Sequence, residues 1–429
     1  MFEEFKKNRD HNKRRTKKQQ RKMDYPITQA VPLSSYKNDT IEHDASVYAT
    51  AVMGTVMPPP RGLTKGRSSR VMMPKQTSKV MSGFDIQALR DQGFSTGLAR
   101  AMTANNAAFP LRIWVVDNSG SMNTSDGHRM VESTSRKEVK IVSCTRWTEI
   151  QQTVDYHVQM AALLQAPTVF RLLNDPGNAV GPQQFSIAEN GAQNLDHEVA
   201  LANSVMLNAS PGGVTPLVAH ILEIRQNVLE LEPTLQQTGS RVAIILATDG
   251  LPSDSSGTCN DVTKKQLVDA LKSLEGLPVW VVVRLCTDEE DVVEFYNNLD
   301  SQLELSIEVL DDFMEEAKEV YGHNTWLTYA LPLHRCREMG YHNRLFDLLD
   351  ERRLTIDEVR QFLRLLLGDS VMNVDPQADM NGFLKLVSRL LEKEPKQWNP
   401  MTKSLTPWVD TRKLSKIYKA KGKGGCTIM

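Results

Sequence analysis

The chain has 429 residues, which is enough for two domains with flanking tails. Its 51 Lys and Arg residues nearly balance its 52 Asp and Glu residues, so no overall field favours nucleic acid or a membrane. Five scattered cysteines with no C-x-x-C pair argue against a disulfide framework or a zinc module and indicate reduced cytosolic thiols. No apolar run approaches the roughly 18–20 residues that span a bilayer, and the charged N-terminus is unlike a secretory signal.

Residues 1–83 have the composition of a disordered tail and linker. The first 24 residues are rich in Lys and Arg, and Pro, Ser, Thr and Met then dominate without periodicity. The basic cluster is equally consistent with a solvated tail and with binding to anionic lipid, nucleic acid or an import receptor. The broken helical pattern of residues 84–110 predicts a short helical lead-in to the next segment.

A short apolar strand at Ile113–Val116 is followed by three oxygen-bearing side chains: Asp117, Ser119 and Ser121. This pattern predicts a buried strand that runs into a loop, which is where open α/β sheets place ligand-binding groups. One carboxylate and two hydroxyls suit a small hard cation such as Mg²⁺. Gly120 allows the sharp bend that would turn both hydroxyls inward. The segment is therefore a candidate metal-binding loop.

The segment from residue 111 to 322 alternates between strand and helix patterns after one unusual insertion. The insertion covers residues 123–146, and the alternation at 138–145 within it is typical of a hairpin strand. Further strands are predicted at 168–173, 184–188, 242–247, 278–286 and 304–310, and helices at 147–165, 195–208, 216–231, 262–275, 289–303 and 312–321. Such alternation predicts a mostly parallel sheet covered by helices.

Two later motifs complete a recognisable set. Ser210–Leu217 is a glycine-rich loop that carries Thr215, and Thr248-Asp249-Gly250 ends a second buried strand. The order D-x-S-x-S, G-G-x-T, T-D-G resembles the metal-ion-dependent adhesion site of the von Willebrand factor A (VWA) family. The resemblance covers about residues 111–322. It implies an α/β fold with a doubly wound, mostly parallel, Rossmann-like sheet.

The resemblance also implies a role for each site residue. Asp117, Ser119 and Ser121 would hold Mg²⁺ or Mn²⁺, Thr215 would join in the high-affinity state, and Asp249 would act directly or through water. The charge count agrees, because hydroxyls are neutral and two carboxylates leave a doubly charged ion electrophilic. An Asp or Glu of a protein partner could then fill the open coordination position.

Residues 323–408 are predicted to form a smaller all-helical region. Thr355–Glu358 has the pattern of a capping box ahead of an apolar helical face. Asp347–Glu358 and the segment around Asp379–Gly382 faintly resemble calcium loops, but each lacks required oxygen ligands. An ordinary helical bundle or a metal-free EF-hand-like fold is therefore favoured over a calcium-binding one.

Residues 409–429 are predicted to be a polybasic tail with a lipidation signal. Cys426-Thr-Ile-Met429 fits the C-a-a-X pattern, and Met at the last position favours farnesyl addition by a prenyltransferase. A single lipid binds membranes reversibly, so stable anchoring requires a second signal. Basic residues near an anionic leaflet contribute roughly 1 kcal/mol each. The lysines that would contact the membrane are Lys413, Lys416, Lys419, Lys421 and Lys423.

The expected function is that of a non-enzymatic, divalent-cation-dependent interaction module. It would be cytoplasmic, peripheral at the cytosolic face of a membrane, with no specific nucleic acid partner. Two alternatives remain open at this point. One is a Mg²⁺-dependent hydrolase, for which Asp126, His128 and Asp254 are candidate bases. The other is a scaffold that has lost its dependence on metal.

Overall fold

The computed structural model of the chain describes residues 83–133, 138–287, 289–300 and 302–419. Its central feature is a six-stranded, mostly parallel sheet with helices on both faces. The predicted mixed α/β class is thereby confirmed. Within the described ranges, no helix is both long enough and apolar enough to cross a membrane.

The elements of the described ranges follow in chain order. The strands are β1 (Leu111–Val116), β2 (Gly127–Ser133), β3 (Glu138–Cys144), β4 (Thr168–Leu172), β5 (Gln184–Ile187), β6 (Val242–Thr248), β7 (Val279–Leu285), β8 (Ile307–Leu310), β9 (Gln397–Asn399) and β10 (Ser404–Thr406). The helices are α1 (Gly83–Asp91), α2 (Thr96–Ala108), α3 (Arg146–Leu164), α4 (Leu195–Asn208), α5 (Leu217–Thr238), α6 (Asp261–Lys272), α7 (Glu290–Asp300), α8 (Phe313–His323), α9 (Leu331–Glu338), α10 (Arg344–Glu351), α11 (Ile356–Leu367), α12 (Met380–Leu391) and α13 (Thr411–Lys419).

The strand order of the main sheet is β5-β4-β1-β6-β7-β8. β5 is antiparallel to β4, and the other neighbours are parallel. Every residue of β1, β6 and β7 is buried, as expected for parallel strands covered on both faces. Because β1 and β6 are parallel neighbours, their carboxyl ends lie at the same edge of the sheet. That edge carries the first and third sequence motifs.

Alternate side chains of each strand supply two separate apolar cores. On one face, Ile113 and Ile244 belong to a cluster with residues of α5, α6 and α7. On the other face, Trp114 and Ile245 belong to a cluster with residues of α3 and α4. Successive residues of a central strand face opposite cores, so most positions in the strand are apolar.

The insertion after β1 forms an antiparallel hairpin of β2 and β3, which is separate from the main sheet. The predicted strand at 138–145 is confirmed as β3, and β2 is its partner. The hairpin ends at Thr145, whose hydroxyl accepts a hydrogen bond from the Thr148 N–H and caps α3. Arg146 is therefore the first residue of α3, directly beside the loop that follows β1.

The C-terminal region is not all-helical, and that prediction is wrong. β9 and β10 pair antiparallel, and Trp398 of β9 is buried in the apolar core. Their pattern was missed because each strand has three residues, too few to display alternation. The turn between them includes Lys403 with a φ of +50°. A short antiparallel pair of strands thus packs within a region that is otherwise mostly helical.

The lead-in helices pack against this C-terminal region. Leu98 and Met102 of α2 belong to one apolar cluster with Phe362 and Leu366 of α11. A Cβ placed on Gly97 would lie 2.4 Å from the backbone oxygen of Leu365, so the α2 and α11 backbones touch. Residues far apart in sequence therefore form one core.

The tail was predicted to begin at residue 409, but residues 411–419 form helix α13. Leu414 is fully buried, and Ile417 and Tyr418 pack against the same core. The spacing of these side chains places them on one helical face, and their burial outweighs the basic composition of the segment. Cys426 lies outside the described residues.

Two carboxylates of the calcium-like patterns, Glu358 and Asp379, take part in helix capping, and Glu358 also forms an ion pair. Thr355 and Glu358 form the predicted capping box. The Glu358 carboxylate also accepts hydrogen bonds from Arg352 at 2.7 and 2.9 Å. Asp379 caps α12 by accepting a hydrogen bond from the Gly382 N–H at 2.8 Å. These roles are structural.

Candidate metal site

Three loops meet at the carboxyl edge of the sheet. The N–H of Gly120, after β1, donates to the oxygen of Gly213 in the glycine-rich loop at 3.2 Å. The N–H of Gly212 donates to the Asn118 oxygen at 2.8 Å, and the N–H of Asp117 donates to the Ala247 oxygen of β6 at 2.8 Å. The three motifs that the sequence analysis grouped therefore form a single structural unit.

Four of the five predicted site residues form a continuous chain of hydrogen bonds. Asp117 is fully buried, and its Oδ1 accepts from the Ser119 N–H at 2.8 Å while its Oδ2 accepts from Thr248 Oγ1 at 2.6 Å. The hydroxyls of Ser119 and Ser121 are 3.0 Å apart, and Ser121 Oγ donates to Asp249 Oδ1 at 2.9 Å. Oxygen atoms from two loops thus converge where a hard cation would bind.

Thr215 is buried in the glycine-rich loop, and its hydroxyl is not part of this chain of hydrogen bonds. Its N–H donates to Ser253 Oγ at 2.9 Å, and its carbonyl accepts from the Ser253 N–H at 3.1 Å. These two bonds attach the glycine-rich loop to the loop after β6. The structure therefore shows Thr215 bonded through its backbone to Ser253, in the loop after β6.

The sequence analysis missed a pair of asparagines that hold the loops together. The Asn174 N–H donates to Asn118 Oδ1 at 2.7 Å, and Asn118 Nδ2 donates to the Asn174 oxygen at 3.0 Å. Asn174 Nδ2 also donates to the Val214 oxygen at 2.8 Å. Asn118 occupies the variable position of D-x-S-x-S, so the motif gave no signal for this role.

Arg146 is the second residue that the sequence analysis missed, and it reaches the site directly. Its side chain is only 2% exposed, and Nη1 donates to Asp249 Oδ2 at 2.9 Å. Nε and Nη2 donate to the two oxygens of Asp126 at 2.7 and 2.6 Å, and Nη2 donates to Glu289 Oε1 at 2.7 Å. The only available signal was an arginine at the start of the helix after the unusual insertion.

The two buried carboxylates of the site have raised pKa values, because burial disfavours their charged forms. Burial, together with the neighbouring Asp249, raises the pKa of Asp117 to about 6. Burial also raises the pKa of Asp249, although hydrogen bonds from Arg146 and Ser121 oppose this. The hydrogen bonds from Arg146 lower the pKa of Asp126. Three carboxylates, those of Asp126, Asp249 and Glu289, thus contact one guanidinium.

The donor set fits a small divalent cation of the Mg²⁺ or Mn²⁺ type. It consists of carboxylate and hydroxyl oxygens, which such ions prefer. No group of three or more His, Cys, Asp or Glu side chains in the described ranges could hold a metal ion. Any metal at this edge would therefore depend on hydroxyls beside the two carboxylates.

The three candidate bases of the hydrolase hypothesis have other partners. Asp126 holds Arg146. The ring of His128 lies 3.6 Å from Asp312 Oδ2. Asp254 is exposed, and its Oδ1 accepts hydrogen bonds from the N–H groups of Ser256 and Thr258 within its own loop.

The described part of the predicted membrane-contacting set lies on α13. Lys413 Nζ donates to Tyr321 Oη at 3.3 Å and lies 4.9 Å from the centre of that ring. Lys416 is exposed, and Lys419 ends the helix. Lys421, Lys423 and the lipidation candidate Cys426 lie outside the described residues.

Fold and site together define a mixed α/β protein with a polar, oxygen-rich cluster at the carboxyl edge of its sheet. No family model and no curated protein matches the chain. Among solved structures, it is similar to the PilB minor pilin from Streptococcus sanguinis at 13% identity and to a point mutant of that pilin at 15%. Each match has a TM-score of 0.30 and covers 47% of this chain and 57% of the pilin. The chain thus spans little more than half the length of these pilins.

Proposed function

We propose that the chain is a VWA-type interaction module that binds a protein partner through Mg²⁺ or Mn²⁺. Asp117, Ser119, Ser121 and Asp249 would hold the ion, with the hydroxyl of Thr215 as an additional ligand. The bound ion would supply a Lewis-acidic position for an Asp or Glu side chain of the partner. The same proposal assigns the six-stranded sheet to the doubly wound, Rossmann-like type.

The observation that carries the proposal is the continuous hydrogen-bonded chain from Asp117 to Asp249. Hydroxyl groups keep acceptor lone pairs while they donate, so Ser119 and Ser121 can face a cation with their oxygens. Asp117 is held at both oxygens, by the Ser119 N–H and by Thr248, which fixes its orientation. A site whose oxygens are already positioned loses little entropy when an ion binds.

We propose a non-enzymatic module because, among the described residues, the candidate bases of the hydrolase alternative have other partners. Asp126 is engaged by Arg146, and the ring of His128 faces Asp312. A general base must reach the proton that it removes, within about 3 Å or through one water. Asp117 and Asp249 themselves are assigned to the ion.

Attachment to a membrane is a separate part of the proposal. Prenylation of Cys426 by a prenyltransferase, together with the basic side chains of the C-terminal segment, would hold the chain at an anionic cytosolic leaflet. The proposed location is therefore cytoplasmic and peripheral. The proposal includes no specific nucleic acid partner, since the total charge is balanced.

One observation favours a second candidate, a metal-independent scaffold. Arg146 already supplies a positive charge to Asp249, which is what a metal ion would otherwise do. In that case the polar cluster would stabilise the three loops, and partners would bind elsewhere. The two candidates differ in whether a divalent ion stabilises the folded chain.

The test is thermal unfolding of the full chain in Mg²⁺ or Mn²⁺ and in EDTA. A ligand at about 100 times its Kd stabilises the folded state by about 2.7 kcal/mol, so Tm should rise with metal. Asp117→Asn should abolish the rise. Asp369→Asn is the matched control, because that carboxylate is 82% exposed and pairs with Arg364 on the surface. Equal melting of the unaltered chain in metal and in EDTA would exclude the proposed module and favour the scaffold.

A further inference from the structure

Arg146 is a cation that the chain itself places against the proposed metal ligand Asp249. The two oxygens of Asp249 have different partners: Oδ1 accepts from Ser121, and Oδ2 accepts from Arg146. An ion bound at Oδ1 and the guanidinium bound at Oδ2 would be separated only by the Asp249 carboxylate group. Since both are positive, each would weaken the binding of the other.

Arg146 does not depend on Asp249 alone. Asp126 binds it with two parallel hydrogen bonds, and Glu289 binds Nη2. Both carboxylates lie at the solvent side, with side chains 40% and 60% exposed, whereas Asp249 is buried. The guanidinium can therefore release Asp249 and remain paired, which lowers the cost of admitting a second cation.

The β2–β3 hairpin brings Asp126 and Arg146 together, because it separates them in sequence and its two ends are adjacent. Asp126 lies immediately before the hairpin, and Arg146 lies immediately after it. The N–H of Arg146 also donates to the Thr124 oxygen at 3.0 Å, which closes the insertion at its base. The insertion thus delivers a guanidinium and its principal partner to the same edge as the metal ligands.

We infer that Arg146 is the resident counter-cation of the site and sets the affinity of Asp249 for a divalent ion. The inference rests on the proposed function. While Arg146 donates to Asp249 Oδ2, that carboxylate would be less available to an ion. If Arg146 released Asp249 and kept its bonds to Asp126 and Glu289, both oxygens of Asp249 would be free to hold the ion. Arg146 is thus a positioning residue that acts through Asp249.

Three variants have different expected effects on Mn²⁺ affinity. Arg146→Gln removes the competing charge and should tighten binding by about tenfold or more, the order expected for a unit charge at a partly buried site. Arg146→Lys keeps the charge and should remain near the unaltered affinity. Glu289→Gln removes a carboxylate that draws Arg146 away from Asp249, so binding should weaken.

The measurement is Mn²⁺ titration of the full chain, by calorimetry and by the loss of the free-ion electron paramagnetic resonance signal. Circular dichroism and melting in EDTA establish that each variant is folded. Arg352→Gln is the matched control, because Arg352 makes a similar pair of hydrogen bonds with the Glu358 carboxylate of α11 and bonds to none of the site residues in the described ranges. It makes the same change in net charge and should leave affinity unchanged.

The outcomes separate the inference from the proposed function. If the unaltered chain binds no Mn²⁺, the proposed function fails. If it binds Mn²⁺ and Arg146→Gln binds no more tightly, or Arg146→Lys binds as tightly as Arg146→Gln, the inference fails alone. Should Arg146→Gln not fold, Glu289→Gln is compared with Glu290→Gln, which makes the same charge change at the neighbouring exposed residue. Weaker binding in Glu289→Gln than in Glu290→Gln supports the inference, and equal binding in the two overturns it.

Discussion

At the scale of single residues, the site depends on groups that hold other groups in place. Thr248 precedes Asp249 in the chain, yet its hydroxyl donates to Asp117, which directly follows the neighbouring strand β1. Asn118 and Asn174 clamp two loops with a reciprocal pair of hydrogen bonds. Buried polar groups that are fully paired specify one arrangement, since leaving any of them unpaired is costly.

Gly213 offers a test of how strictly the glycine-rich loop is shaped. Its φ is +86°, and an added Cβ would lie 2.7 Å from Asn174 Oδ1. Left-handed backbone at a residue other than glycine costs about 1–3 kcal/mol, and the clash adds to this. We expect Gly213→Ala to lower the free energy of unfolding by at least about 1 kcal/mol, measured by urea titration in EDTA.

Gly212 is the matched control for that substitution. It precedes Gly213, and an added Cβ there would meet nothing within 4 Å. A Gly→Ala change at a compatible position is neutral or stabilising by about 0.4–1 kcal/mol, because it restricts the unfolded chain. Equal destabilisation by both alanines would contradict the assignment of the strain to Gly213.

At the scale of elements, the strands of the main sheet were predictable, whereas the three-residue strands β9 and β10 and the end of α5 were not. β1, β6 and β7 lie within two residues of their predicted ends. Helix α5 was expected to end near residue 231, but it continues through Pro233 to Thr238. Leu235 is fully buried, and its packing supports the last turns despite the proline.

Helix α13 provides a test at this scale. Leu414 is fully buried within a segment that its lysines made look like a tail. Truncation of a buried leucine costs about 2–5 kcal/mol, so Leu414→Ala should lower the urea midpoint of the full chain markedly. Lys416→Ala, on the exposed side of the same helix, should change stability by no more than about 0.5 kcal/mol. Unchanged stability in Leu414→Ala would show that α13 contributes nothing to the folded core.

At the scale of the whole molecule, the chain does not divide where its composition changes. The lead-in helix α2 packs against α11, and α13 packs against the same C-terminal core. Met160 and Leu164 of α3 also belong to that cluster, so a helix of the sheet region borders it. Fragments limited to the sheet would expose these apolar surfaces, which is why the tests above use the full chain.

The proposed membrane attachment is tested in cells with a fluorescently tagged chain. A tag at the N-terminus leaves the C-a-a-X sequence free, and the chain should be associated with a membrane. Cys426→Ser removes the thiol that a prenyltransferase modifies, so the chain should move to the soluble fraction. Thr427→Ser keeps the cysteine and serves as the control. An unchanged distribution of Cys426→Ser would exclude prenylation as the anchor.

The sequence alone determined the class of fold and the group of residues at its carboxyl edge. Apolar period and length define buried parallel strands, and chain order then brings Asp117 and Asp249 to one edge. Only the tertiary structure decided that Arg146 pairs with Asp249 and that a supposed tail is a helix. The physical reason is that local patterns report which face of an element is buried. They do not report which distant charge or apolar surface meets that face.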